Sequence, residues 1–106
     1  MRSERRRHIR VPGPFSASSR SGQHEMPVRI MDLSEGGCYI ESAEEQPLGK
    51  SVMLKISLPD GASLVVQGEI LYLRPGRGYA VLFNGMADAG RADLERTLAR
   101  LRQLTR

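Results

Sequence analysis

Two short stretches of the sequence carry side chains that could bind a polar ligand. The first, RRRHIRVP at residues 5–12, contains four arginines, and Arg6 and Arg10 stand at R-x-x-x-R spacing. The second, DLSEGG at residues 32–37, has D-x-S-x-x-G spacing. Arginine offers a planar fork of donors that fits phosphate and the O6/N7 edge of guanine, whereas lysine does not. The first stretch therefore indicates anion or nucleotide recognition, or alternatively a solvated basic tail that attracts polyanions loosely.

The composition describes one globular domain whose positive charge is mostly arginine. A chain of 106 residues with 40% hydrophobic and 26% charged residues has the size and balance of a single soluble domain. The net charge is +4, and only Lys50 and Lys55 are lysines. The arginine bias favours anion binding only weakly, because GC-rich genomes also favour arginine.

Several classes of protein are disfavoured by what the sequence lacks. No apolar run approaches 18 residues, so no transmembrane helix is expected, and no apolar segment of a secretory signal follows the basic N-terminus. Cys38 is the only cysteine, so an internal disulfide and a cysteine-based zinc site are excluded. His8 and His24 have no partners at metal-ligand spacing, so no metal is expected. A cytoplasmic location is the resulting expectation.

Apolar residues alternate with polar ones in several segments, which is typical of β-strands. The clearest alternation runs from Val52 to Leu58, and further strands are predicted near residues 26–31, 38–41, 64–73 and 79–83. Gly68 predicts a bulge or bend. Residues 11–14, VPGP, predict a turn. Residues 15–24 fit either a linker or a polar edge strand that turns at Ser21-Gly22.

The end of the chain follows a helical period instead. Leu94, Leu98 and Leu101 recur on one face, which predicts an amphipathic helix that covers the strands or, less favoured, binds a partner helix. Six short strands with tight turns followed by one helix predict a mainly β fold, a small six-stranded antiparallel β-barrel with a C-terminal α-helix. We expect a single domain with a flexible basic arm at 1–12, the barrel at 13–86 and the helix at 88–105.

From about Arg5 to Phe83 the chain resembles the PilZ domain, the bacterial receptor module for cyclic di-GMP. Both motifs of that family, R-x-x-x-R and [DN]-x-S-x-x-G, are present here in the family's order, at Arg6/Arg10 and at residues 32–37. Residues 36–40 and 78–83 resemble the apolar run after the family's serine and its closing strand. Arg2 and Arg6 share the first spacing, but Arg6 and Arg10 fit better because the family's arm runs directly into its first strand.

The resemblance implies a ligand-binding set and no cofactor or metal besides the ligand, cyclic di-GMP. Its implied members are Arg5, Arg6, Arg10, Asp32, Ser34, Gly36 and Gly37. The arginines would bind phosphate or guanine, with Arg5 auxiliary, while Asp32 would accept the guanine N1–H and N2–H donors and Ser34 would offer a hydroxyl. Gly37 would let the ligand approach the backbone, and Gly36 would adopt positive φ. Asp32 and Ser34 also fit a turn-forming role. The roles of Arg7, Arg74 and Arg77 stay open.

The function implied by the resemblance is that of a stand-alone cyclic di-GMP receptor that signals to an unidentified protein effector in motility, exopolysaccharide or biofilm output. Three alternatives remain: a PilZ-like adaptor that does not bind the nucleotide, a basic nucleic-acid-binding barrel, and a small enzyme. The low aromatic content of 5% disfavours nucleic-acid binding. No nucleophile–base set, P-loop or metal cluster supports catalysis, so no enzyme activity is expected. Since no apolar run is long enough to span a bilayer, no membrane insertion is expected either.

Overall fold

The computed structural model describes residues 10–44 and 46–104, which form six strands and one helix. The elements are β1 Val11–Ser21, β2 His24–Leu33, β3 Gly37–Glu41, β4 Ser51–Ser57, β5 Ser63–Arg74, β6 Gly78–Met86 and α1 Asp88–Leu104. The strands pair antiparallel in the order β1-β2-β3-β6-β5-β4, and β1 pairs with β4 to close the barrel. The predicted six-stranded barrel with a C-terminal helix is confirmed.

The interior of the barrel is filled by the inward positions of the alternating strands. On β4 and just after it, Val52, Leu54, Ile56 and Leu58 are all buried, as their period of two predicts. Other strands supply further branched side chains to the same core: Val28, Ile30, Leu33, Ile40, Leu64, Val66, Ile70 and Val81. Because this core is continuous, the outward positions are free to carry a binding surface.

The helix α1 packs against the barrel, on β5 and β1, rather than projecting toward a partner. Leu94 and Leu98 are completely buried, and Leu101 packs against the core at its edge. Leu104, one step off the stripe, is 73% exposed. The intramolecular interpretation of the leucine stripe is therefore confirmed.

The first strand differs from its sequence prediction. Residues 11–14 do not form a turn but open β1, with a register shift between Pro12 and Phe15 against β2. Val11 and Phe15 are both buried, so their packing holds this segment in the barrel. An added Cβ on Gly13 would lie 2.3 Å from the Ile30 carbonyl oxygen, so glycine permits the close approach of β2. The strand thus begins before the predicted barrel boundary at residue 13.

Residues 15–24 were predicted to be either a linker or a polar edge strand, and most of them form a strand. Residues 15–21 continue β1, and the chain turns at Gly22, which has φ +63° and therefore suits glycine. This strand is not an edge, because β1 pairs with β2 on one side and β4 on the other. The bend predicted at Gly68 is also present, as a register shift between Gln67 and Gly68.

Candidate functional site

Arg10 and Asp32, both predicted to bind ligand, form an ion pair on the barrel surface. Pro12 of β1 faces Asp32 of β2 in the ladder, which brings the residue preceding β1 beside the Asp32 carboxylate. The Arg10 Nη1 donates to Asp32 Oδ1 at 2.6 Å. The two side chains are 51% and 30% exposed, so the pair is accessible from solvent. The barrel thus holds a guanidinium and a carboxylate together where a polar ligand can reach both.

Ser34 organises the turn between β2 and β3. Its backbone N–H donates to the Gly37 carbonyl at 2.9 Å, and its hydroxyl donates to the same carbonyl at 3.2 Å. The Ser34 oxygen also accepts from the Gly36 N–H at 3.3 Å. Because Ser34 is only 3% exposed, these bonds are shielded from water. They give Ser34 the turn-forming role that the sequence left as an alternative.

The two glycines of the motif take part in the packing of the barrel strands. Gly36 is absent from the residues with positive φ, so the prediction that it adopts positive φ is wrong. Its carbonyl instead accepts from the Phe83 N–H at 2.8 Å. A Cβ on Gly37 would lie 2.3 Å from the Val81 carbonyl oxygen, so glycine is required for β3 to approach β6. The role of Gly37 toward a ligand stays a prediction.

Replacing Ser34 by alanine should lower the free energy of unfolding by about 1 kcal/mol, because a buried hydrogen-bonding group loses its partner. Urea denaturation would measure the change. Ser42→Ala is a matched control, since the Ser42 oxygen makes the same kind of bond to the Glu44 N–H at 3.1 Å in an exposed setting. A Ser34→Ala loss no larger than that of Ser42→Ala would contradict the structural role of the buried hydroxyl.

Four of the predicted site residues line one surface groove of about 400 Å³, here called the Arg10 groove. Strands β5 and β6 complete it with apolar side chains that the sequence analysis did not select. The lining residues are Arg10, Ser34, Gly36, Gly37, Leu71, Ala80, Val81 and Leu82. In the sequence, Leu71 and Leu82 look like ordinary strand leucines. The one feature that could have indicated an exposed apolar surface is the unbroken apolar run from Ile70 to Leu73, which departs from alternation.

Arg74 and Arg77, whose roles were open, line a different groove of about 440 Å³ beside β3. The Arg74 guanidinium lies over the Tyr39 ring, 5.6 Å from its centroid, in cation–π geometry. Tyr39 faces Asp32 across the β2–β3 ladder, so this second groove neighbours the ion pair. These two arginines therefore do not line the Arg10 groove.

Other candidate groups contribute no further chemistry among the described residues. Arg5, Arg6 and His8 lie outside the described residues. Cys38 is 1% exposed, and burial, with the nearby Asp32 charge, raises the pKa of its thiol well above the ordinary value. It therefore stays protonated as a small core residue. Within 10–44 and 46–104, no group of three potential ligands for a metal ion occurs. In the same residues, no helix has the length and apolar character needed to cross a membrane.

Solved structures with the same architecture come from several bacterial proteins. The Bacillus subtilis inhibitor of motility MotI/DgrA matches with a TM-score of 0.82 at 18% identity, over 96% of this chain and 52% of that one. The cyclic di-GMP-bound PilZ domain of Escherichia coli YcgR matches with a TM-score of 0.75 at 16% identity, over 96% and 95%. The PilZ domain of CeSA from a cellulose-synthesizing bacterium gives 0.70 at 19% identity, over 89% and 98%.

These likenesses establish the fold, and a family comparison establishes the relationship. This chain spans about half the length of MotI/DgrA, with 52% of that protein covered. Among curated proteins, no sequence matches the chain. The family model of the PilZ domain, however, matches residues 4–100, nearly the whole sequence and both motifs. The chain belongs to the PilZ domain family.

Proposed function

We propose that the Arg10 groove binds cyclic di-GMP. The observation that carries this proposal is the Arg10–Asp32 ion pair beside the Ser34–Gly37 turn, on the surface of a PilZ barrel. The guanidinium of Arg10 fits a phosphate or the O6/N7 edge of guanine, and the Asp32 carboxylate fits the N1–H and N2–H donors. The similar YcgR domain, whose structure contains cyclic di-GMP, supports the ligand's identity.

Binding would proceed by an exchange of partners at the ion pair. In the free protein, Arg10 and Asp32 satisfy one another at 2.6 Å, so neither charge is left without a partner. An anionic ligand with guanine groups would replace both partners. The acceptor atoms of the ligand would bind Arg10, and the N–H donors of its guanine would bind Asp32. Because the pair is exposed, separating it costs only about 0–1 kcal/mol, so the exchange favours the ligand if its contacts are better aligned.

The arm arginines would complete the contact set. Arg6 precedes Arg10 by four residues in the sequence, and Arg5 directly precedes Arg6, so we propose that both could reach a ligand held by Arg10. Cyclic di-GMP carries two phosphates and two guanines, more acceptors than Arg10 can occupy alone. We therefore assign Arg6 as the second principal contact and Arg5 as an auxiliary one.

The same proposal describes a receptor rather than an enzyme. Ligand capture would change the surface around the groove, and a protein partner in motility, exopolysaccharide or biofilm output would read that change. MotI/DgrA, an inhibitor of motility with the same fold, supports this class of output. The ligand can alter partner affinity only by the difference in its own affinity for the two surface states.

Calorimetric titration with cyclic di-GMP tests the proposal, with GTP and cyclic di-AMP as controls. We expect selective, saturable binding with one or two ligands per protein. Absence of binding at about 100 μM ligand, where even sites of about −5 to −6 kcal/mol begin to fill, would refute nucleotide binding. An adaptor that works through protein contacts alone would then be the better account.

A further inference from the structure

Two leucines lie exposed in the groove that holds Arg10. Leu71 is 52% exposed and Leu82 is 43% exposed, and both line the groove together with Arg10 and the Ser34–Gly37 turn. Large apolar side chains that stand in a groove beside a charged group are typical of small-molecule sites, which are mostly apolar with a few placed polar groups. A volume of about 400 Å³ also falls in the range of such sites.

Leu71 lies on the outer face of β5 because it follows the buried Ile70 in the alternation of that strand. Ile70 pairs with Val81 and Tyr72 pairs with Ala80, so Leu71 is also the extra residue of a bulge on β5. After this bulge Tyr72 is exposed as well, at 39%, instead of returning to the core. On the next strand, Leu82 pairs with Gly37. Because Gly37 has no side chain, nothing on β3 covers Leu82 at this position.

The charge and shape of the groove select one kind of occupant. Among the described residues that line it, Arg10 carries the only charge, and Leu71, Ala80, Val81 and Leu82 make half of the lining apolar. A nucleotide combines an anionic phosphate with flat base faces that are poorly hydrated and polar base edges that require hydrogen bonds. Arg10 and Asp32 offer contacts to edges and phosphate, but they leave the base face without a partner.

We infer that Leu71 and Leu82 form an apolar platform on which the face of a guanine base packs, with its edge turned toward Arg10 and Asp32. The inference rests on the proposed function and specifies how the base is held. The leucines would contact the flat face of the base, which is similar in every base, while Arg10 and Asp32 would form hydrogen bonds with the edge that distinguishes guanine. The platform contributes affinity by removing apolar surface from water.

Leu71→Ala and Leu82→Ala should each weaken cyclic di-GMP binding by about 5- to 20-fold, since each deletes methyl groups covered by the base. Val65→Ala is the matched control, because Val65 is 54% exposed on the same strand β5 but lies outside the groove. Leu71→Met, which keeps the apolar contact, should bind within about 3-fold of the wild type. Calorimetric titration measures the affinity of all four variants.

Methyl NMR of the wild-type protein gives a second readout. The Leu71 and Leu82 methyl resonances should shift upfield on ligand addition, because they would lie over the ring, while the Val65 methyls stay unchanged. If the wild type binds but Leu71→Ala and Leu82→Ala match Val65→Ala and the methyls do not shift, the platform is overturned and the receptor proposal survives. If the wild type does not bind, the receptor proposal itself fails.

Discussion

Replacing Arg10 by alanine should weaken cyclic di-GMP binding by about 10- to 150-fold, while the fold stays intact. A hydrogen bond to a charged group contributes about 1.5–3 kcal/mol, which corresponds to this change in affinity. Stability should change little, because the Arg10–Asp32 pair is exposed at 51% and 30% and such pairs contribute about 0–1 kcal/mol. Calorimetric titration and thermal denaturation of the same variant measure the two effects.

Arg20→Ala provides the control for charge alone. Arg20 lies on β1, the strand that Arg10 directly precedes. Its side chain is 61% exposed and pairs with Glu25 at 3.3 Å, so its loss also removes one positive charge and one surface ion pair. It lines a different groove, together with Gln67 and Asn84. Equal losses of affinity for Arg10→Ala and Arg20→Ala would mean that net charge alone attracts the ligand. An unfolded Arg10→Ala variant would make Arg10 a structural residue.

The sequence predicted the parts of the fold in which one local pattern decides the outcome. Val52, Leu54, Ile56 and Leu58 alternate without interruption, and all four are buried. The helix stripe from Leu94 to Leu98 behaved in the same way. In such segments local propensity and tertiary burial favour the same structure, so a single sequence suffices.

Prediction was wrong where tertiary contacts compete with a local signal. The VPGP segment has the composition of a turn, yet Val11 and Phe15 reach the core on either side of the prolines, and burial of both keeps the segment in β1. The opposite happened at Tyr72, which unbroken alternation from Ile70 would place inward and which lies 39% exposed after a bulge of β5. Neither outcome can be read locally, because each depends on the register of a neighbouring strand.

The site was predicted as a set of residue types, but its internal contacts were not. Arg10 and Asp32 were each identified as ligand contacts, and only the β1–β2 ladder brings them into an ion pair with one another. The sequence predicts that the Ser34 hydroxyl contacts the ligand, and in the structure this hydroxyl forms hydrogen bonds within the turn. A sequence motif therefore indicates which residues are used together, whereas the contact each makes depends on backbone geometry.

Gly37→Ala should be the most destabilising alanine substitution among the three fixed residues of the D-x-S-x-x-G motif, Asp32, Ser34 and Gly37. The new Cβ would lie 2.3 Å from the Val81 carbonyl oxygen, a backbone atom that cannot turn aside. Strands β3 and β6 would have to separate, and overpacking of this kind typically costs about 1–3 kcal/mol. For a domain of this size, the melting temperature should fall by about 4–20 °C, measurable by circular dichroism.

Gly85→Ala separates this effect from the general cost of replacing a strand glycine. The Cβ added at Gly85 would meet the end of the Gln67 side chain at 2.6 Å, and that flexible amide can move away. Gly85→Ala should therefore leave the melting temperature nearly unchanged, and equal losses for the two variants would refute the strand-approach argument. If Gly37→Ala is as stable as the wild type but fails to bind cyclic di-GMP, Gly37 acts by admitting the ligand. If Gly37→Ala is less stable than the wild type, Gly37 acts on binding indirectly, by allowing β3 to pack against β6. The groove lined by Leu82 and the Ser34–Gly37 turn depends on that contact between the strands.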